Sequence, residues 1–256
     1  MKQVFYTFAI LIVSLISCDK NSDNEINIPE TPKNDNILPV KLEITNPNGE
    51  IETQYFTYSG MRLIKDESSK GFYTDYIYED NKITEINFYD EPNPAILESY
   101  TYDTQGRVAT ISTKIVGVGV YEYNQTYNAD NSVITQSTIG YPDDIPTTTT
   151  ISNGNITNDT EEYYISSTYT YDTKNGIFKN VELREIFITI SSENGYPHFF
   201  NLNNCLGETI KNDSTKESEH YTYTITYTSF DYPRTIKQID KTGTTLYTCT
   251  FTYNND

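Results

Sequence analysis

The residues that could do chemistry are few in this chain, and none stands in a recognised catalytic arrangement. His198 and His220 are the only histidines, and neither belongs to an H-E-x-x-H pair that would place two metal ligands on one helix face. The sequence also lacks a G-x-S-x-G elbow, a phosphate-binding loop and a dinucleotide fingerprint. We therefore expect no catalytic residue, no metal site and no cofactor.

The acidic side chains also give no clear sign of a metal site or a catalytic pair. Asp143 and Asp144 are adjacent within GYPDDIP, where a turn is a better setting than a strand, and further oxygen ligands at calcium-binding spacing are missing. A glycosidase-like carboxylate pair cannot be selected from 36 scattered acidic residues. The sequence predicts a protein that is not an enzyme, and a hydrolase with an unrecognised carboxylate pair in a deep cleft is kept as an alternative.

Two cysteines follow the N-terminal region, Cys205 and Cys249. Cys249 alternates with Tyr247 and Phe251, so we expect it on a buried strand face. The pair could form a disulfide in an oxidising compartment, but two buried free thiols are the favoured interpretation.

One irregular segment, residues 191–208, is rich in large apolar side chains without alternation. Its aromatic loop carries Tyr196, His198, Phe199 and Phe200. Such a loop could be a plug, a lid or a binding loop. The favoured alternative is that its aromatic rings cap an open end of the core. The preceding stretch, Val181 to Ile190, is predicted to be a strand.

The elements that would position these residues are repeated β-hairpins. In Ser99 to Ser112, Tyr100 and Tyr102 share one strand face, and Asp103 and Gly106 suit a tight turn closed by a left-handed glycine. Looser copies occupy residues 56–64, 76–86, 125–134, 148–157, 169–181 and 224–239, and FTYNND ends the chain. Steps of about 20–25 residues between copies hold two strands and two turns, which is an internal repeat.

Within the return strands, aliphatic residues three apart recur. The pairs are Ile83 with Ile86, Val108 with Ile111, and Ile236 with Ile239. Strict alternation would separate them, so a bulge shared by the repeats is predicted. The fold class is all-β, an antiparallel meander of repeated hairpins that forms a barrel-like or strongly curved sheet, with residues 38–256 as one domain. The second face is rich in Thr, Ser, Lys and Glu, which does not suit a membrane-spanning barrel.

The N-terminus reads as a targeting segment. Residues 1–17 combine Lys2 with an apolar run of signal-peptide length. Leu15-Ile16-Ser17-Cys18 resembles a bacterial lipobox, which implies that Cys18 is acylated and anchors the chain to a membrane. Residues 18–37 are predicted to be this lipidated cysteine followed by a flexible acidic tether. The acidic tether resembles the export signal of Bacteroidota surface lipoproteins, whereas Asp19 after the cysteine would signal inner-membrane retention in enterobacteria.

The net charge of the chain limits the classes of partner that we expect. The chain has 36 acidic and 18 basic residues, and removing residues 1–17 removes Lys2, so the mature chain carries 17 − 36 = −19. An acidic surface of this size excludes nucleic acid and anionic lipid headgroups as expected ligands.

The hairpins also carry a family resemblance. Tyr102-Asp103 with Gly106-Arg107 is similar to the YD repeats of Rhs-type proteins, and Tyr171-Asp172 with Gly176 matches in part. Over residues 38–256 the arrangement resembles a family of Bacteroidota lipoproteins of unknown function with a porin-like fold. That resemblance implies a barrel or curved sheet and no activity.

From these features we expect a lipid-anchored, non-enzymatic protein of the outer membrane that faces the cell exterior. It would bind an extracellular ligand such as a glycan, since tyrosine rings can stack on sugar faces. The alternative is a structural or accessory lipoprotein that docks with an outer-membrane protein complex.

Overall fold

The computed structural model describes residues 36–90, 93–140, 145–161, 164–190 and 199–256. Signal segment, Cys18 and most of the tether lie outside them, although Ile37 is already buried. The described strands are β1 (Pro39–Thr45), β2 (Ile51–Ser59), β3 (Arg62–Ser68), β4 (Phe72–Glu79), β5 (Lys82–Asp90), β6 (Asn93–Tyr102), β7 (Val108–Ile115), β8 (Gly119–Tyr127), β9 (Ser132–Ile139), β10 (Thr147–Ser152), β11 (Asn155–Glu161), β12 (Ile165–Tyr171), β13 (Cys205–Asn212), β14 (Ser218–Tyr227), β15 (Pro233–Ile239) and β16 (Thr245–Tyr253). A helix, α1 (Arg184–Ile190), lies between β12 and β13. Within these ranges no helix is long and apolar enough to cross a bilayer.

The strands form one closed barrel. Each pairs antiparallel with its neighbours in sequence, and β1 pairs with β16 to close the ring. The predicted all-β antiparallel meander is therefore confirmed, and the sheet curves until its first and last strands pair. Because the strands alternate in direction, the turns after β2, β4, β6, β8, β10 and β14 lie at the same end as the start of β1.

A bulge recurs where most return strands begin. Tyr102 pairs with Val108 but Thr101 pairs with Thr110, so Ala109 is the extra residue, and Val108 and Ile111 are both buried. Thr84 plays the same part between Ile83 and Ile86. The bulge prediction is confirmed in these two strands. In β15 the bulge occurs at the equivalent place, at Arg234, but the pair chosen to indicate it is wrong, because Ile236 is buried and Ile239 is only half-buried.

The repeat tyrosines form hydrogen bonds between adjacent strands on the inner side of the barrel. Hydroxyls of four of them donate to the carbonyl of the first bulge residue in the preceding return strand: Tyr58 to Pro39, Tyr78 to Leu63, Tyr102 to Ile83 and Tyr253 to Pro233, at 2.6–3.0 Å. A cation from the neighbouring hairpin covers several of the rings, as Arg62 covers Tyr78 and Lys82 covers Tyr102. We call this arrangement the tyrosine latch. Burial raises the pKa of Tyr102 to about 12, so its hydroxyl remains a donor.

Carboxylates occupy the next layer of the inner wall. Asp66 accepts hydrogen bonds from Gln54 and Tyr76 at 2.8 Å, and Glu208 accepts one from Tyr223 at 2.7 Å. Asp159 accepts one from Thr149. No cation of the described residues forms an ion pair with these three side chains. Burial therefore raises the pKa of each above its ordinary value.

These raised pKa values predict how stability depends on pH. Below about pH 3 the carboxyls are largely protonated in both the folded barrel and the unfolded chain. As pH rises toward neutrality the unfolded chain ionises first, so the folded state is progressively penalised. We expect the free energy of unfolding to be higher at pH 5 than at pH 7.5, as measured by denaturant titration.

The substitution Glu208→Gln separates this effect from the relief of general charge repulsion. Its amide oxygen can still accept from Tyr223, but the side chain no longer titrates. We expect a flatter pH dependence in this variant and an unchanged slope in Glu43→Gln, which removes an acid paired with Lys41 near the surface. Equal slopes in the two variants would contradict a contribution from the buried carboxyl.

One end of the barrel is closed by the segment between β12 and β13. Residues 172–190 and 199–204, which we call the plug, leave the wall after Tyr171 and rejoin it at Cys205. Two predictions are wrong here: residues 169–181 do not form a hairpin, and Val181 to Ile190 contains α1 rather than a strand. Because β12 pairs directly with β13 in the wall, the plug between them takes no part in the sheet. It packs its apolar residues, among them Phe187, Ile188 and Ile190, into the barrel.

Candidate functional site

The aromatic part of the plug is a packed core. Phe187 stacks on Phe200 with ring centroids 4.4 Å apart, and Phe178 contacts both Phe199 and Phe200. Phe199 and Phe200 are only 5% and 6% exposed. The structure therefore places these two predicted loop residues inside the core, as capping side chains. Tyr196 and His198 lie outside the described residues.

A buried arginine fastens the plug to the barrel wall. Arg184 Nη1 donates to the carbonyl oxygens of Phe200 at 2.6 Å and Gly154 at 3.1 Å. Its Nη2 atom pairs with Glu185, whose side chain is exposed. Burial lowers the pKa of Arg184, but the guanidinium remains a donor. The plug is therefore held against the β10–β11 turn.

A cleft opens beside the plug at the same end of the barrel. It has a volume of about 400 Å³ and lies between three hairpin turns and the last turn of α1. Its described lining combines polar groups with apolar surface and consists of Arg107, Tyr127, Asn128, Asn131, Ser132, Val133, Ile151, Asn153, Gly154 and Thr189. A cleft of this size with a few convergent polar groups is the usual form of a small-ligand site.

The backbone conformation of the turns explains why asparagine occurs at positions 131 and 153. Asn131 and Asn153 both have positive φ, 67° and 50°, and Gly154 follows with 75°. Asparagine tolerates the left-handed region better than other side chains except glycine, and Asn-Gly is the favoured sequence of a two-residue hairpin turn. A hydrogen bond from Ile151 N to Asn131 O at 3.2 Å joins the two turns. The cleft wall is therefore set by backbone geometry.

The amides of Asn131 and Asn153 project from these turns. Neither side chain forms a hydrogen bond within the described residues, and both residues are exposed. By contrast, Asn128 donates to Ser132 Oγ at 2.9 Å, and this hydroxyl donates to Asp130. Two free amides, each with a donor group and an acceptor oxygen, are thus available to a ligand.

Arg107 forms the cationic wall of the cleft. Its guanidinium lies 4.3 Å from the centroid of the Tyr127 ring, and its Nε and Nη2 atoms contact Asp103 Oδ2 at 2.8 and 2.7 Å. Asp103 Oδ1 accepts from the backbone N–H groups of Gln105 and Arg107. The backbone N–H of Arg107, followed by its side chain, lowers the pKa of Asp103. The pair is therefore ionised and mutually neutralising.

The described lining of the cleft places amides beside apolar side chains. The lining residues that the structure describes include no carboxylate and no histidine, and Val133 and Ile151 add apolar surface beside the amides. The buried carboxylates Asp66, Asp159 and Glu208 instead face hydrogen-bond donors on the inner wall. The cleft therefore offers hydrogen-bond donors and acceptors next to apolar surface.

The remaining predicted residues lie elsewhere. Cys205 and Cys249 are free thiols at 2% and 0% exposure, and burial raises the pKa of both, which keeps them protonated. His220 is exposed, with its Nδ1 atom 3.0 Å from Thr209 Oγ1. Asp143 and Asp144 lie outside the described residues. In the described part of the chain, no three His, Cys, Asp or Glu side chains group as metal ligands.

Sequence reasoning missed Arg184, Asn131 and Asn153. Arg184 occurs in an apolar stretch with no motif around it, and the asparagines looked like turn residues only. The one available signal was the repeat itself, because it predicts that alternate turns gather at one end of a closed sheet.

Comparison with known proteins gives a fold. No family model and no curated protein matches the chain. A porin-like protein from Bacteroides uniformis superposes with a TM-score of 0.52 at 16% identity, covering 84% of this chain and 96% of that one. Another porin-like protein, from Bacteroides vulgatus, covers 85% of this chain and 98% of that one, with a TM-score of 0.47 at 10% identity. The first of these likenesses shows that the barrel is porin-like.

Proposed function

We propose that this protein is a lipid-anchored, non-enzymatic protein of the outer membrane, facing the cell exterior, that binds a glycan in the cleft beside the plug. The lipobox-like sequence ending at Cys18 supports the anchor, and the porin-like fold supports an envelope location. Its outer barrel face carries exposed threonines instead of an apolar band, including Thr57, Thr101, Thr126, Thr168 and Thr224. This polar face supports a barrel that lies in water, held by its N-terminus.

The observation that carries the glycan proposal is the pair of free amides at the cleft. Asn131 and Asn153 present donors and acceptors beside the guanidinium of Arg107 and the apolar side chain of Ile151. Amides and guanidinium groups can pair with neighbouring sugar hydroxyls, and the apolar side chain can cover a sugar C–H face.

The double substitution Asn131→Gly and Asn153→Gly tests the proposal. Glycine adopts the positive φ of both turns without strain, so the variant should fold while losing both amides. The wild-type protein is screened on a glycan array, and affinities for a bound oligosaccharide are measured by calorimetry. We expect the double variant to bind at least tenfold more weakly, since each lost hydrogen bond is worth about 1 kcal/mol.

A matched control is the Asp80→Gly variant. Asp80 also has positive φ, 47°, in the β4–β5 turn, and it is not among the cleft residues. This variant should bind like the wild type. Wild-type protein that binds no glycan, or a double variant that binds as well as Asp80→Gly, would contradict the proposal.

A second candidate function is an accessory lipoprotein that docks with an outer-membrane protein complex. It is favoured by exposed apolar side chains near the turns at the barrel end opposite the plug, namely Ile51, Phe72, Val116, Val118, Val120, Ile139, Tyr164 and Ile165. Clustered apolar exposure is typical of protein interfaces. Under this function, Val118→Glu should abolish co-purification with the complex while glycan binding is unaffected.

A further inference from the structure

The charge of Arg107 is neutralised before any ligand arrives. Both contacting nitrogens, Nε and Nη2, are directed at the same oxygen of Asp103, at 2.8 and 2.7 Å. Such a charge-assisted contact fixes the plane of the guanidinium. The Tyr127 ring packs against one face of the guanidinium, with its centroid 4.3 Å away, and restricts its orientation further. The remaining N–H groups of Arg107 can donate to a ligand, but the cation offers little net charge to attract an anion.

Asp103 has two separable roles. Its Oδ1 atom caps the β6–β7 turn by accepting from the N–H groups of Gln105 and Arg107, whereas its Oδ2 atom holds the guanidinium. An asparagine at this position would keep an oxygen for the turn and lose the negative charge. Charge and turn geometry can therefore be changed independently.

From this geometry we infer that Asp103 is a specificity-determining residue, which restricts the cleft to uncharged saccharides and rejects those that carry a carboxylate. The inference rests on the proposed glycan-binding function of the same cleft. A uronic acid carboxylate near Arg107 would meet the charge of Asp103 as well, and an added like charge disfavours the wrong ligand. A neutral sugar needs only the hydrogen bonds of the amides and of the spare guanidinium N–H groups.

The substitution Asp103→Asn tests this role. The probes are a neutral oligosaccharide that binds the wild type and the counterpart of the same sequence whose terminal sugar is oxidised to the uronic acid. Calorimetry on the folded, full mature chain should show that the wild type binds the neutral probe at least tenfold more tightly. In Asp103→Asn the ratio of the two affinities should shift about tenfold toward the acidic probe, whatever loss both probes share because the guanidinium is no longer held by a carboxylate.

The Asp240→Asn variant is a closely matched control. Asp240 caps the β15–β16 turn in the same manner, accepting from the N–H groups two and four residues later, Thr242 and Thr244. It removes the same single charge from the chain but lies at the opposite end of the barrel. We expect it to bind both probes as the wild type does.

The outcomes separate the two proposals. If the wild type binds no saccharide, both the glycan function and this inference fall. If it binds the neutral probe but Asp103→Asn, shown to be folded by circular dichroism, leaves the ratio of the two affinities unchanged, only the role of Asp103 falls. An equal shift in Asp240→Asn would overturn that role too, since net charge alone would then explain it.

Discussion

Replacing Phe187 by Ala should lower the free energy of unfolding by about 3–5 kcal/mol, the range for a large aromatic side chain removed from a core. Phe187 is 2% exposed, stacks on Phe200 and meets the edge of Tyr76 on the barrel wall at 5.7 Å. Its removal would leave a cavity between the plug and the wall. Denaturant titration followed by tyrosine fluorescence and circular dichroism measures the change.

The control for this prediction is Phe72→Ala. Phe72 begins β4 at the opposite end and is 49% exposed, so its loss should cost less than about 1 kcal/mol. A Phe187→Ala variant as stable as Phe72→Ala would mean that α1 does not pack inside the barrel. The plug would then neither close this end of the barrel nor form one wall of the cleft.

Replacing Gly176 by Ala should cost about 3 kcal/mol, at the upper end of the usual range for overpacking. A Cβ atom at Gly176 would lie 2.2 Å from the carbonyl oxygen of Asn201 and 2.9 Å from that of Leu202. These are backbone atoms that cannot rotate away, and the N–H of Gly176 is itself bonded to Leu202 O at 2.9 Å. The two plug segments that hold Gly176 and Asn201–Leu202 must separate, which denaturant titration would detect.

Gly207→Ala serves as the comparison. Gly207 also lacks a positive φ, and an added Cβ would meet its nearest neighbours at 3.3–3.4 Å, at Thr170 Oγ1 and Tyr221 O. We expect a loss below about 1 kcal/mol. A larger loss at Gly207 than at Gly176 would contradict the close packing of the two plug segments.

Most of the barrel could be predicted from local rules. Alternation of Tyr and Thr defines the strands, and turn residues such as Asp103 and Gly106 define their ends. Gly106 has φ of 80°, as its place in the turn predicts. The three-residue spacing of Val108 and Ile111 predicts the bulge because both side chains must reach the same core.

The plug could not be predicted in the same way. Its copy of the motif, Tyr171-Asp172 with Gly176, uses the glycine for close approach instead of a hairpin turn. Asp172 accepts from Asn204 at 2.8 Å and so fastens the plug where it rejoins the wall. The β-branched run of α1 favours a strand by propensity, but packing inside the barrel overrides it.

The candidate site was also beyond local reasoning. Tyrosine rings suggested sugar stacking, yet the structure directs the repeat tyrosines inward, where the tyrosine latch uses their hydroxyls. The cleft depends on turns that lie 22 and 24 residues apart in sequence, those that hold Arg107, Asn131 and Asn153. Only closure of the barrel brings them together at one end.

The most direct test of the account is to follow the side-chain amide resonances of Asn131 and Asn153 by NMR while a bound oligosaccharide is titrated in. We expect both NH₂ pairs to shift with a common dissociation constant, while the corresponding signals of Asn48 and Asn212, at the opposite end, stay in place. Shifts confined to the opposite end, or binding that leaves both cleft amides unmoved, would contradict it.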